Sequence, residues 1–300
     1  MAITRLYHAT LSRETYSAFL PDHDVYVTDW QDARYVPLSE GRFGFEDYVH
    51  YIIEFLEFLG PATHVVAICQ AAAPVLTAVA VMAGRQHEQR PKSLTLMAGP
   101  IDVRANPNIL TRVSELSNAR LHRLLTVKEV PAGYPGAGRR VYPGIMQLAA
   151  FMGMNLRTHW QKHRQFFVDV FNGDEAAANK HREFYNEYFA ILDTTEEFFI
   201  ETSERVFFDP QLSKGTMQYE GAAVECAAIR DIPLFTIEGA DDDMCKVGMT
   251  EAVHALCPEL PSELHQHYVQ PGVGHYGVFS GTRYREEVAP RIKSFIAAQS

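Results

Sequence analysis

Cysteine is scarce in this 300-residue chain, limited to Cys69, Cys226, Cys245 and Cys257, and no two of them form a CxxC pair. That scarcity excludes a disulfide framework and a zinc knuckle, and it leaves each thiol to be read as free. Long apolar runs are missing as well. No window reaches the roughly 18 apolar residues of a membrane span, and the opening MAITRLYHATLSRETYSAFL lacks the apolar centre of a secretory signal. Positive charge is the minority sign, with 27 Lys and Arg against 37 Asp and Glu for a formal charge of −10, and no basic block stands out. The balance argues against a general affinity for nucleic acid or anionic membrane surfaces, and the whole set predicts a cytosolic chain.

What the chain does have is apolar content, 47% hydrophobic residues, enough for a substantial core. Asp24 to Trp30 alternates like a strand before the polar, Pro-containing DARYVPLSEGR. In FEDYVHYIIEFLEFLG, Phe45, Tyr48, Val49, Ile52, Ile53, Leu56 and Leu59 recur at helical spacing until Gly60-Pro61 ends the pattern. An apolar run from Thr63 to Ile68, a small-residue segment from Ala71 to Ala83 and a run from Ser93 to Ala98 then read as strand, helix, strand. That is the beat of a parallel sheet with right-handed crossovers. The beat stops near Ala105, where aromatic, helical stretches take over, and resumes with Pro233 to Glu238, a helix through Thr250 to Leu256, a run from His267 to Gln270 and a last helix from about Tyr284 to Ala297. The expected architecture is an α/β core of residues 1–104 and 228–300 with a mostly helical cap, 105–227, inserted in the same folding unit. No internal repeat and no low-complexity linker interrupts it.

A nucleophile elbow requires a strand, a strained turn with small residues two positions either side of the nucleophile, and a helix directly behind. Ala67-Ile68-Cys69-Gln70-Ala71 has that form, with alanines where glycines are usual and cysteine in place of serine. A cysteine beside an apolar run is more often core filler, so the partners must decide. In this architecture the chain order is nucleophile, acid, histidine, with the acid after a late strand and the histidine after the last. LFTIEGADDDM and QPGVGHYGVF place Asp242 and His275 there. Asp241 and Asp243 read as solvated neighbours. In this reading His275 takes the thiol proton or pairs with the thiolate, Asp242 orients the imidazole, and the backbone N–H of Gln70 supplies one oxyanion donor.

With these residues in view, the chain resembles the intracellular poly(3-hydroxybutyrate) (PHB) depolymerases, α/β-hydrolase-fold enzymes with a cysteine nucleophile. The resemblance covers nearly the whole chain and rests on LPDHDVYVTDWQDARYVPL, AICQAAAPVLTAVA, LMAGPIDVR, GYPGAGRRVYPGIMQL, FYNEYFAILDTTEEFF and GHYGVFSG. It implies hydrolysis of polyester stored in cytoplasmic granules, with Cys69, Asp242 and His275 on the catalytic pattern, the polymer or its oligomers and the granule surface as partners, and no cofactor. Coenzyme A enters only as a possible acyl acceptor, in thiolysis. A polyester synthase shares the cysteine-centred elbow, and a catalytically silent granule-binding protein is the reading from outside enzymology. Only seven residues precede His8-Ala-Thr-Leu11, so an early strand, and the loop expected to carry the second oxyanion donor, are expected to be missing.

Other patterns are weaker. His159 and His163 stand four apart in HWQKH, but Trp160 replaces the glutamate of a zincin helix. GYPGAGRR lacks the ending of a phosphate loop and reads as a structured turn. The DDD run lacks calcium-loop spacing. Tyr185, Tyr188, Phe198 and Phe199 are expected to be cap core.

Overall fold

The computed structural model describes residues 1–4, 13–107, 119–154 and 156–299. Its central sheet has six parallel strands: β1 Ala2–Thr4, β2 Tyr26–Val27, β3 His64–Ile68, β4 Ser93–Met97, β5 Leu234–Gly239 and β6 His265–Gln270. They lie in the order β6-β5-β4-β3-β1-β2. β3, β4 and β5 are buried along their whole length, as strands covered on both faces must be.

The order corrects one expectation. An early strand is present: Ala2–Thr4 sits between β2 and the strand that leads to Cys69. Three residues are too short for alternation to be read, and this strand is fixed by ladders on both sides rather than by its own pattern. The segment His8–Leu11 that follows lies outside the described residues. Among the described residues, the stretch Asp24–Trp30 pairs with β1 at Tyr26 and Val27.

Helix α1, Phe45–Leu59, buries the face made by Phe45, Tyr48, Val49, Ile52, Ile53 and Leu56. The Asp47 carboxylate accepts the Gly44 N–H at 2.6 Å at its start. It stops at Gly60, whose φ of 84° is left-handed and favours glycine. Helix α2, Ala72–Gly84, is buried on nearly every side, which is why its sequence shows small residues rather than an apolar stripe. It packs against α1 and follows the sharp turn at Cys69, where φ is 57°. That value is costly for a residue with a Cβ.

Gly99, just past β4, leaves no room for a side chain. A Cβ there would stand 2.1 Å from the Ala72 Cβ and 2.9 Å from the Cys69 carbonyl oxygen. Gly99→Ala is expected to destabilise the protein by about 2 to 3 kcal/mol through overpacking and to displace the elbow; denaturant unfolding together with esterase activity checks this.

Between β4 and β5 the chain holds helices α3 Leu156–Phe171, α4 Glu175–Tyr188 and α5 Glu196–Thr202. It also holds two small antiparallel sheets, one built from Lys128–Glu129, Arg140–Tyr142 and Thr194–Thr195. Three of the stretches that carry the resemblance meet here. Arg34 donates through Nε and Nη2 to the two oxygens of Asp193 at 3.1 and 2.6 Å. The Gly144 N–H donates to Asp193 at 2.7 Å. Arg139, buried, donates to the carbonyls of Val36, Pro37 and Gly41. A planar guanidinium with several fixed donors suits this clamp in a way lysine would not.

Candidate active site

β3 ends at Ile68 and the chain turns at Cys69. β5 ends at Gly239, three residues before Asp242, and the segment after β6 turns at His275. Parallel strands bring all three to the same edge of the sheet, outside the carboxyl ends of the strands where α/β sheets bind ligands. His275 Nε2 lies 3.1 Å from Cys69 Sγ, and its Nδ1 lies 2.7 Å from Asp242 Oδ2. The other oxygen of Asp242 accepts the N–H groups of Met244 and Cys245, each at 2.8 Å. Asp242 and His275 are buried, Cys69 and Gln70 are half-buried, and Asp241 and Asp243 are exposed. Gln70 is the second residue of the helical turn Cys69–Ala71.

Electrostatics favour a charged imidazole at this position. Burial by itself would lower the His275 pKa, but the neighbouring Cys69 and Asp242, by charge and by hydrogen bonding, outweigh it and raise it to about 10. An unfolded histidine releases its proton near 6.5. The stabilisation from protonated His275 is therefore complete below about pH 6.5 and is lost as pH rises through about 10. A ring titration by NMR is expected to show the proton retained toward pH 10 in the intact protein and released at lower pH in Cys69→Ala, where one of the raising charges is gone.

Two residues that sequence reasoning did not single out brace this arrangement. Glu238 is fully buried, and its carboxylate accepts the N–H groups of Gly248, Thr250 and Glu251 at 2.8, 2.6 and 3.1 Å. The helix expected from Thr250 begins at Val253, just after the segment those amides anchor; its range is α6 Val253–Leu256. The Thr250 hydroxyl lies 2.9 Å from both the N and the O of Gly99, tying the acid-bearing loop to the elbow. The available signal was a glutamate at the end of an otherwise apolar strand, a position that demands partners.

The remaining patterns resolve differently. The side chains of His159 and Tyr188 lie outside the described residues. His163 packs on the rings of Tyr185 and His181, and Trp160 is exposed. Gly136 in GYPGAGRR packs on the carbonyls of Ala33, Arg34 and Val36, which leaves it against acceptors rather than around an anion. Tyr185 and Phe198 are buried and Phe199 packs on Tyr142. Cys226, Cys245 and Cys257 are buried free thiols. Burial raises Cys226 and Cys257 to about 12 and pushes Cys245 up as well. Among the described residues no helix is long and apolar enough to cross a membrane.

Solved structures with this architecture span nearly the full chain. BpoC of Mycobacterium tuberculosis H37Rv aligns over 100% of this chain and 92% of its own, with 16% identity and a TM-score of 0.57. The Paleococcus ferrophilus monoacylglycerol lipase covers 100% of this chain and 93% of its own at 10% identity and TM-score 0.53. A carboxylesterase of Nitrososphaera gargenis covers 100% and 90% at 12% identity and TM-score 0.53. At these identities the likeness concerns the fold, and the chain is an α/β-hydrolase-fold protein of the ester hydrolase class. Residues 98–300 match the family described as PHB de-polymerase C-terminus, and the chain belongs to that family. The matched segment contains Asp242 and His275 and begins after Cys69. No curated protein matches.

Proposed function

We propose that the protein is an intracellular depolymerase that cleaves the ester bonds of stored poly(3-hydroxybutyrate), with Cys69, His275 and Asp242 as its catalytic triad. The observation that carries this reading is the Cys69 thiol, held at a left-handed turn 3.1 Å from His275 Nε2. In the acylation step the Cys69 sulfur attacks the ester carbonyl, and the oxyanion is held by the Gln70 backbone N–H. Collapse breaks the C–O bond, the leaving alkoxide takes the proton from His275 Nε2, and a thioester remains on Cys69. Water then attacks the thioester. His275 accepts the water's proton and the thiolate leaves, releasing a 3-hydroxybutyrate oligomer or monomer. Asp242 holds the imidazole tautomer throughout and stabilises its cation. Family membership supports the polymer substrate, and with it the surface of cytoplasmic storage granules as the place of action.

The test is incubation of purified protein with amorphous polymer granules, with and without coenzyme A, beside Cys69→Ala. Soluble hydroxyacid formed without coenzyme A, and lost in the variant, is the expected result. Product that requires coenzyme A would replace hydrolysis by thiolysis. Binding without product would make the protein a silent granule component, and product unchanged in the variant would remove Cys69 from the mechanism.

A further inference from the structure

Away from Cys69 and His275, where β5 and β6 meet α6, three histidines and Thr236 form a hydrogen-bonded chain that ends facing two glutamates, and its polarity can be worked out. It begins at His265, whose Nε2 lies 3.1 Å from the Leu260 carbonyl oxygen. A carbonyl can only accept, so in the neutral ring Nε2 carries the proton and Nδ1 is a lone pair. His265 Nδ1 lies 2.7 Å from His254 Nδ1, which must therefore be the donor. That leaves His254 Nε2 bare, and at 2.8 Å it is a better acceptor for the Thr236 hydroxyl proton than the Gln266 carbonyl at 3.5 Å. The Thr236 oxygen in turn accepts from His267 Nδ1–H at 2.8 Å. In the neutral ring the chain ends with His267 Nε2 as a lone pair.

That lone pair faces two carboxylates. It lies 3.9 Å from Glu238 Oε2 and 3.8 Å from Glu251 Oε2, and the three atoms all stand within 4.8 Å of one another. Among the described residues neither carboxylate forms an ion pair with a lysine or arginine. Glu238 Oε2 also accepts the Gly248 N–H at 2.8 Å, and a cation among the three atoms, a metal ion or a proton on His267 Nε2, offsets the repulsion that remains.

We propose that His267 Nε2, Glu238 Oε2 and Glu251 Oε2 form a binding site for a divalent cation of the zinc class. One imidazole with two carboxylates is a donor set that suits zinc, and three protein ligands leave a fourth position for water. Ligand atoms of a tetrahedral zinc with bonds of about 2.0 to 2.1 Å stand about 3.3 Å apart, so the two His267–glutamate distances need to close by about half an ångström, and the Glu238–Glu251 distance, within 4.8 Å, by up to about 1.5 Å. Glu251, half exposed on its side chain, can supply that movement and the route in from solvent. The supporting contacts are of the kind that orient metal ligands: His267 Nδ1–H is held by Thr236, and Glu238 is fixed by three backbone amides. The bound ion would join β5 and β6 to the loop that carries Asp242.

The experiment uses the full chain in a Cys69→Ala background, which removes the accessible thiol as a competing ligand. Chelator-stripped protein is titrated with zinc chloride by calorimetry, and with cobalt chloride by absorption. The expected result is one ion per chain, a cobalt spectrum without thiolate charge transfer, and affinity about a hundredfold weaker in both His267→Gln and Glu251→Gln. Zinc at about a hundred times its Kd should raise Tm by roughly 5 °C, and neither variant should show that rise. Circular dichroism of both variants establishes that they fold; Glu251, being exposed, keeps the test valid should His267→Gln fail to do so. Absence of saturable binding, binding unchanged in Glu251→Gln, or an NMR signature of a proton on His267 Nε2 that zinc does not displace would each overturn the assignment.

Discussion

Cys69→Ala is expected to lower ester cleavage by about 10⁴-fold or more, since removing a nucleophile costs nearly as much as removing the whole triad. None of the other three cysteines, all buried, can replace the thiol. Cys245 is buried with its sulfur 3.6 Å from the Thr250 hydroxyl, and burial keeps it protonated. Its thiol is therefore the poor nucleophile and Cys69 the accessible one. The fold should survive the change, because alanine relieves none of the backbone demand at φ 57° but fits the same turn. Steady-state kinetics on a soluble 3-hydroxybutyrate oligomer, with thermal unfolding as the control for folding, gives the comparison. Residual activity within tenfold of the parent would place the nucleophile elsewhere.

Asp242→Asn is expected to reduce kcat by a similar order, about 10⁴-fold, by a different route. The amide oxygen can still accept from Met244 and Cys245, as Oδ1 does now. That choice turns the NH₂ group toward His275 Nδ1, where Oδ2 now lies at 2.7 Å. A donor there forces Nδ1 to be the acceptor and puts the ring proton on Nε2, pointing at Cys69. The imidazole then cannot take the thiol proton, and it loses one of the charges that raise its pKa. Stability should change little compared with activity. A kcat within tenfold of the parent, with the His275 titration unchanged, would show that Asp242 does not orient the histidine.

Much of the α/β core was legible because its signals are local. The apolar stripe of α1, the buried runs of β3, β4 and β5, and the small residues flanking Cys69 each follow from the period of a helix or strand, or from the crowding of a strained turn. The proximity of Cys69, Asp242 and His275 was legible for a related reason: a parallel sheet delivers every strand end to one edge, so their chain order carries their meeting place. Other features were not local. β1 is too short to show a pattern, and its place between β2 and β3 depends on partners 24 and 63 residues away by register, Ala2 with Tyr26 and with Val65. Asp193 looks like any loop aspartate until Arg34 and Gly144 reach it from distant segments.

By itself, then, the sequence determined the α/β-hydrolase class, the sharp turn at Cys69 and the strand ends that bring Asp242 and His275 to it, because periodicity, steric demand and strand order are properties of short stretches and of their succession. Only the tertiary structure decided which polar groups face one another. Glu238 became the holder of the Asp242 loop, and His254, His265 and His267 became a chain with a defined direction, because hydrogen-bond polarity depends on what lies within about 3 Å in space.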